Sequence, residues 1–377
     1  MNAPASHACC SALLMAFLAV GTQVHDGAAS ASSSASAARE LRLAEQTAQL
    51  SARLERMEAL GLSESLAAAL DAIAKAPTDS QYTLVKDGWL YFRPLKFARF
   101  IEGPPPGETP EAGSYYVPGG YQLATIRDLQ RQLADHDIEL LVVPIPTRLD
   151  VYPELIVDRE LGDDFAGYAP GLTRFLIELE QHGVEVVDLL PALARERVGI
   201  TAPDDEQVFL RANGHWSPKG VVISARAIAE RIRQSDWYAE YDAREPPEPE
   251  RFEKAWSYRT QRLAEGAEPP VLQFERVVSG RGRMVDYRGD SPVLVMGDSF
   301  VWLYSVEGAD LARQIQRFSG LPMDVISIPG GGAQACRTAL ARRRGGPKDK
   351  RMVIWLWAAE CLMMVDSKWE PVDVFAR

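Results

Sequence analysis

Pro292-Val-Leu-Val-Met-Gly-Asp-Ser-Phe300 is the stretch on which the reading of this chain turns. Val293 to Met296 is apolar without alternation and is bounded by Pro292 and Gly297, the pattern of a short strand buried on both faces of a sheet. Gly297 permits a tight turn, and the side chain of Asp298 is suited to accept from the N–H groups of that turn. Ser299 is then left at the carboxyl end of the strand, where open parallel sheets hold their ligands, with a helix expected just beyond. A hydroxyl there can act as an acyl-accepting nucleophile, with backbone N–H groups facing the charge that develops on the attacked carbonyl. The same tripeptide also occurs as a plain helix cap, so the functional reading needs a partner base.

The flanking sequence repeats the pattern. Ile138–Ile145, Val184–Val187, Gln207–Leu210, Met323–Ile328 and Met352–Trp357 read as strands, with helices expected near 121–134, 170–181 and 217–233. Ser217-Pro218 supplies an N-cap and first-turn proline for the last of these. Strands alternating with helices need crossover connections, which gives an α/β domain with a mostly parallel sheet. Upstream, Tyr82–Phe92 carries two apolar runs around Asp87-Gly88, a hairpin signal. Residues 38–77 are rich in helix formers, with Leu43, Leu50 and Met57 seven apart and Gly61 interrupting, and read as a helical spacer. The Pro/Glu-rich segment of about 244–270 lacks sustained apolar periodicity and reads as a surface excursion. The expected organisation is a leader over 1–37, the spacer, and one α/β domain over 82–377.

The 377 residues are 46% hydrophobic and 25% charged, enough for a large core, and the net charge of −11 argues against a nucleic-acid or anionic-membrane partner. A polyanionic polysaccharide would need a local basic patch. Ser11–Gly21 is a short apolar run followed by the Ala/Ser-rich Ala28–Ala38, which resembles a signal peptide and points to export, although no Lys or Arg precedes the run; an uncleaved N-terminal anchor is the alternative. Cys336 and Cys361 would remain after cleavage, either paired in an oxidising compartment or as two buried thiols. No CxxC occurs and the histidines are scattered, so no metal or cofactor is implied.

Serine needs a base, and His215 in Arg211-Ala-Asn-Gly-His-Trp-Ser-Pro218 is the candidate. It lies in a loop just ahead of a helix, within reach of another strand's carboxyl end. His7 and His25 fall in the leader, and His136 and His182 at polar helix ends.

Four ordered motifs then carry a resemblance: Lys86-Asp-Gly-Trp-Leu90, Val143-Pro-Ile-Pro-Thr-Arg-Leu-Asp-Val-Tyr-Pro-Glu154, the loop around His215-Trp216, and Gly297-Asp-Ser-Phe300. Over about Tyr82–Asp366 the chain resembles the SGNH-hydrolase-like domain of the alginate O-acetyltransferase family, AlgJ/AlgX-like, in which the histidine precedes the serine, as here. The resemblance implies a three-layer α/β/α fold preceded by an N-terminal helix. It also implies a periplasmic transfer of acetyl groups to polysaccharide hydroxyls through an acyl-serine, with a membrane-bound O-acyltransferase supplying the acetyl. A carbohydrate esterase on the same fold and a catalytically silent assembly scaffold are the alternatives.

One departure matters: the family's Asp two residues before the histidine is Asn213 here. Its amide oxygen can still accept from the imidazole, or a carboxylate such as Asp204 or Asp205 can substitute. Oxyanion donors are expected at Ser299 and in the turn Gly330-Gly331-Gly332, which is otherwise a flexible connection. Arg148, Trp216, Gln334 and Arg337 are candidate substrate contacts; for Arg148 a surface ion pair, and for Gln334 and Arg337 the start of a helix, are the competing roles. The chain leaves no room after its last strand for an appended carbohydrate-binding module, so an AlgJ-like architecture is expected.

Overall fold

The computed structural model describes residues 27–75, 82–84, 86, 89–92, 121–162, 165–257, 268–362 and 369–376. The apolar run of the predicted leader lies outside them, as does Gly103-Pro-Pro-Pro-Gly107, a sequence that reads as a loop. The chain divides into an N-terminal unit, Met1–Arg39, whose described residues are helical, and a body, Glu40–Arg377, that holds everything below.

Helix α1 runs over Gly27–Leu60, taking in the whole Ala/Ser-rich stretch, and α2 over Ser63–Lys75, the two separated where Gly61 takes φ +61°. In the body, Leu50 and Met57 of α1 and Leu66 and Leu70 of α2 are buried in the core. The seven-residue spacing thus serves docking onto the domain.

The hairpin pairs β1 (Tyr82–Leu84) with β2 (Leu90–Phe92), Tyr82 opposite Phe92. Helix α3 (Tyr121–Ala134) leads into β3 (Glu139–Ile145), a single turn α4 (Arg148–Val151), α5 (Pro170–Gln181), β4 (Glu185–Val186) and α6 (Leu190–Arg195). Then follow α7 (Pro218–Arg233), β5 (Glu250–Ala255), β6 (Val271–Arg276), β7 (Val293–Gly297), a single turn α8 (Ser299–Trp302), α9 (Leu311–Ser319), β8 (Asp324–Ser327), α10 (Gly332–Arg342) and β9 (Met352–Ala358).

The main sheet has the order β4-β3-β9-β7-β8, and every pairing in it is parallel. All seven residues of β9 and all five of β7 are buried, which requires cover on both faces and accounts for their unbroken apolar character. Because the strands are parallel, their carboxyl ends share one edge, bringing Asp298-Ser299, the turn after Ser327 and Ala359-Glu360 into neighbouring positions.

Two expectations change. Gln207–Leu210 is not a strand: only Phe209 pairs, in an isolated antiparallel bridge with Trp216. Val208, Phe209 and Leu210 are buried, but the chain doubles back at 211–215, so apolar burial here marks the stem of a loop. Within the excursion of about 244–270, Glu250–Ala255 forms a ribbon with Val271–Arg276, Phe252 stacked on Phe274 at 5.3 Å. Its outer strand is almost wholly exposed, which is why no apolar pattern marks it.

Candidate active site

Ser299 stands at the first position of α8, immediately after β7. Asp298 caps the turn, accepting from Phe300 N at 3.0 Å, and its second oxygen accepts from Ala358 N at the end of the adjacent β9, at 3.3 Å. On the other side Ser327 Oγ, at the end of β8, donates to Asp298 O at 2.8 Å. The turn is therefore pinned to both neighbouring strands. A Cβ at Gly297 would lie 2.4 Å from Leu356 O, so the close approach of β7 to β9 needs glycine there. Burial pushes the Asp298 carboxyl up to about 6, against the backbone donors that favour its charged form.

His215 comes from the loop between the Phe209–Trp216 bridge and α7. Its Nε2 lies 2.7 Å from Ser299 Oγ. On the far side of the ring Nδ1 meets Asn213 Oδ1 at 2.5 Å, and the same oxygen accepts from the backbone N–H of His215 at 3.1 Å. That double use fixes the amide: a flipped Asn213 would set its NH2 against the backbone N–H. Oδ1 therefore holds the proton on Nδ1 and leaves the Nε2 lone pair facing the serine, the tautomer a general base requires. Burial first, and then the positive charge of Arg148, lower the imidazole to about 4, so it is neutral at pH 7. Ser299 and His215 are half-buried and reachable from solvent, with Phe300 behind them, its ring 4.7 Å from His215 and 5.2 Å edge-on from Trp216.

Arg148 has a different role from the glycan contact expected of it. It is 6% exposed and its Nη1 donates to the carbonyls of Leu210 and Arg211, at 3.1 and 3.0 Å. It ties the loop bearing His215 to α4, whose start is fixed by a reciprocal Thr147–Asp150 capping box. Tyr152 Oη accepts from Val208 N at 3.2 Å, and Tyr304 Oη donates to Trp216 O at 2.9 Å. Trp216 is fully buried, so it backs the site and does not face a substrate. The tyrosines carry no local sequence signal, since both act across long sequence separations.

Gln334 and Arg337 are likewise committed. Arg337 is buried, lies over the Trp355 ring at 4.9 Å and donates to Glu370 O at 2.8 Å, while Gln334 Oε1 accepts from Glu370 N at 3.1 Å. Together they hold the C-terminal segment. Asp204 pairs with Arg211 and Asp205 with Gln273, so neither serves His215. Of the expected oxyanion donors, the Gly331 N–H is spent on Ile328 O at 2.9 Å, whereas those of Ser299 and Gly332 meet no acceptor among the described residues. Gly330 and Gly332 take positive φ, +74° and +54°. Cys336 and Cys361 are buried and form no disulfide, and burial raises the Cys336 thiol to about 12, well outside the reactive range. Glu360, just past β9 and half-buried, is raised to about 7 by burial and by Asp298, against Arg148. No cluster of metal-ligating side chains occurs among the described residues.

Ser299 and a neutral His215 thus stand within hydrogen-bond distance at the carboxyl edge of a covered parallel sheet, the arrangement that serine-dependent acyl transfer requires. The chain belongs to the family described as the SGNH hydrolase-like domain of the acetyltransferase AlgX, which matches residues 117–359. It is 28% identical over 172 residues to a "Probable alginate O-acetylase AlgJ" of Pseudomonas aeruginosa, covering 43% of this chain and 42% of that protein. It is 30% identical over 117 residues to the Pseudomonas putida protein of the same name, covering 30% and 27%. The chain thus spans less than half the length of these relatives. The solved "O-Acetyltransferase Domain of Pseudomonas putida AlgJ" shares the fold, with a TM-score of 0.51 and 18% identity over 75% of this chain and 92% of that one.

Proposed function

We propose that this chain is a serine-dependent O-acetyltransferase acting on an exported, alginate-like polysaccharide, with a membrane-bound O-acyltransferase as the acetyl source and the periplasm as its compartment. The observation that carries the reading is the 2.7 Å approach of His215 Nε2 to Ser299 Oγ, with the tautomer held by Asn213. His215 takes the Ser299 proton as Oγ attacks the acetyl carbonyl, and returns it to the leaving group as the acyl-serine forms. A sugar hydroxyl then gives its proton to His215 and attacks the acyl carbon, and Ser299 Oγ departs with that proton. The N–H groups of Ser299 and Gly332 are the donors available to the oxyanion in both steps. Water in place of the sugar would make the same site an esterase.

The test is incubation with an activated acetyl ester followed by mass spectrometry of the peptide carrying Ser299. Acetyl on Ser299 is expected, absent in Ser299→Ala and retained longer when no acceptor is added. An unlabelled serine in the folded protein refutes the reading, and a label lost at one rate with and without oligosaccharide favours hydrolysis.

A further inference from the structure

Ser299 and Trp302 are three apart on the single turn of α8, which places them on one side of it. Trp302 is 43% exposed, and its side chain makes no ring contact or hydrogen bond among the described residues. An uncovered indole one turn from a half-buried hydroxyl offers a flat apolar face, with a polar N–H, to whatever is bound at that hydroxyl. Beyond Trp302 the backbone reverses at Tyr304, φ +67°, and Val306 is 75% exposed. The hairpin after β6 packs on this reversal: Val277 N donates to Gly308 O at 3.0 Å, and a Cβ at Gly308 would lie 2.6 Å from Met284 Sδ. The hairpin tip is closed by Ser279 N to Arg283 O at 2.7 Å and presents Arg281 and Arg283, both exposed. Neither guanidinium has an ion pair or hydrogen bond among the described residues. By contrast, Arg276, Arg288, Arg313 and Arg317 around them are all paired with carboxylates. On a chain of net charge −11, two arginines without a carboxylate partner, on a hairpin that packs against the segment following Trp302, form a local exception.

We propose that Trp302, with Arg281 and Arg283, forms an acceptor subsite: the indole stacks on the pyranose ring next to the hydroxyl offered to Ser299, and the arginines take carboxylates of following residues of the chain. A pyranose ring presents a flat C–H face that an aromatic ring covers, and a guanidinium pairs with a carboxylate through two parallel hydrogen bonds. This rests on the reading of Ser299 above, and it assigns acid recognition to a hairpin outside the Ser–His pair.

Titration calorimetry of a uronate tetrasaccharide and a neutral glucan tetrasaccharide into the full chain tests it. Trp302→Ala is expected to weaken both sugars by about tenfold, with Trp302→Phe restoring most of the loss. Arg281→Ala with Arg283→Ala should weaken the uronate alone and flatten its dependence on salt. A melting temperature unchanged in each variant excludes misfolding, and both sites are on the surface. Wild-type affinity in Trp302→Ala, or equal weakening of both sugars in the arginine variant, overturns the proposal. If Ser299 is acetylated but these variants bind as wild type, the subsite alone fails; if the binding pattern holds and Ser299 is never acetylated, the transferase reading alone fails.

Discussion

Replacing Asn213 by Asp should convert a neutral orienting group into a charged one without moving it. The new carboxylate would keep both donors of the amide oxygen, His215 Nδ1–H and His215 N–H, and so stay ionised despite being only 9% exposed. Its charge would stand roughly 4 Å from the centre of the imidazolium, an attraction of about 4 kcal/mol at an effective dielectric near 20. His215 is only half-buried, so about half of that survives screening, or about 1.5 pKa units. The sign follows from the charge: an anion favours the protonated ring, so the imidazole rises from its present value of about 4. Activity needs the neutral ring, so the acid limb of the pH–rate profile should move up by the same amount. Well above both values the variant should be faster, by up to about thirtyfold, because about 2 kcal/mol of imidazolium stabilisation enters the transition state. In serine proteases the reverse change costs about 10⁴ largely through the wrong tautomer, a loss this site avoids because His215 N–H already orients the amide. The assay is hydrolysis of an activated acetyl ester across pH. An unmoved acid limb, or a rate at or below wild type on the plateau, refutes the assignment of position 213 to the site.

Arg148→Met removes both the donor to the Leu210 and Arg211 carbonyls and a cation that opposes protonation of His215. The acid limb should again shift upward, but here with a loss of plateau rate of about tenfold or more as the loop loosens; a shift towards lower pH contradicts the sign argued. Gly297→Ala sets a methyl 2.4 Å from a backbone carbonyl that cannot retreat, so about 1–3 kcal/mol of stability should disappear in urea unfolding, with acetylation of Ser299 falling more than stability alone explains. Met57→Ala should cost about 2–4 kcal/mol by the same measurement, since Met57 is buried in the core; no loss would return α1 to the role of a detached spacer.

The parallel sheet was legible because its central strands are covered on both faces, which forces runs such as Val293–Met296 and Met352–Trp357 to be apolar throughout. Gln207–Leu210 misled for the same reason, being equally apolar and equally buried but used as the stem of a turn. That Ser299 and His215 would meet was legible because a serine just after a buried strand and a histidine in a loop just ahead of a helix both fall at the sheet edge. Arg148, Trp216, Gln334 and Arg337 could not be sorted the same way. A polar or aromatic residue in a site motif can face the substrate or brace the wall behind it, and only contacts across the chain, such as Arg148 with Leu210 or Arg337 with Glu370, decide which. The orientation of the Asn213 amide was also unreadable, since it depends on a backbone N–H two residues on.

The docking of α1 has a practical side. β4 is an outer strand of the main sheet, and Gln46 Nε2 of α1 donates to the carbonyl of its Val186 at 2.8 Å. Trimming the protein back to its α/β portion for expression would strip that cover. The cut would bare the Val186 carbonyl together with the apolar residues that Leu50 and Met57 protect, and a strand margin uncovered in this way invites another molecule to add to it. A shortened form that precipitates or runs as higher-order species would then reflect where it was cut, and keeping Glu40 onward should return it to a well-behaved monodisperse sample.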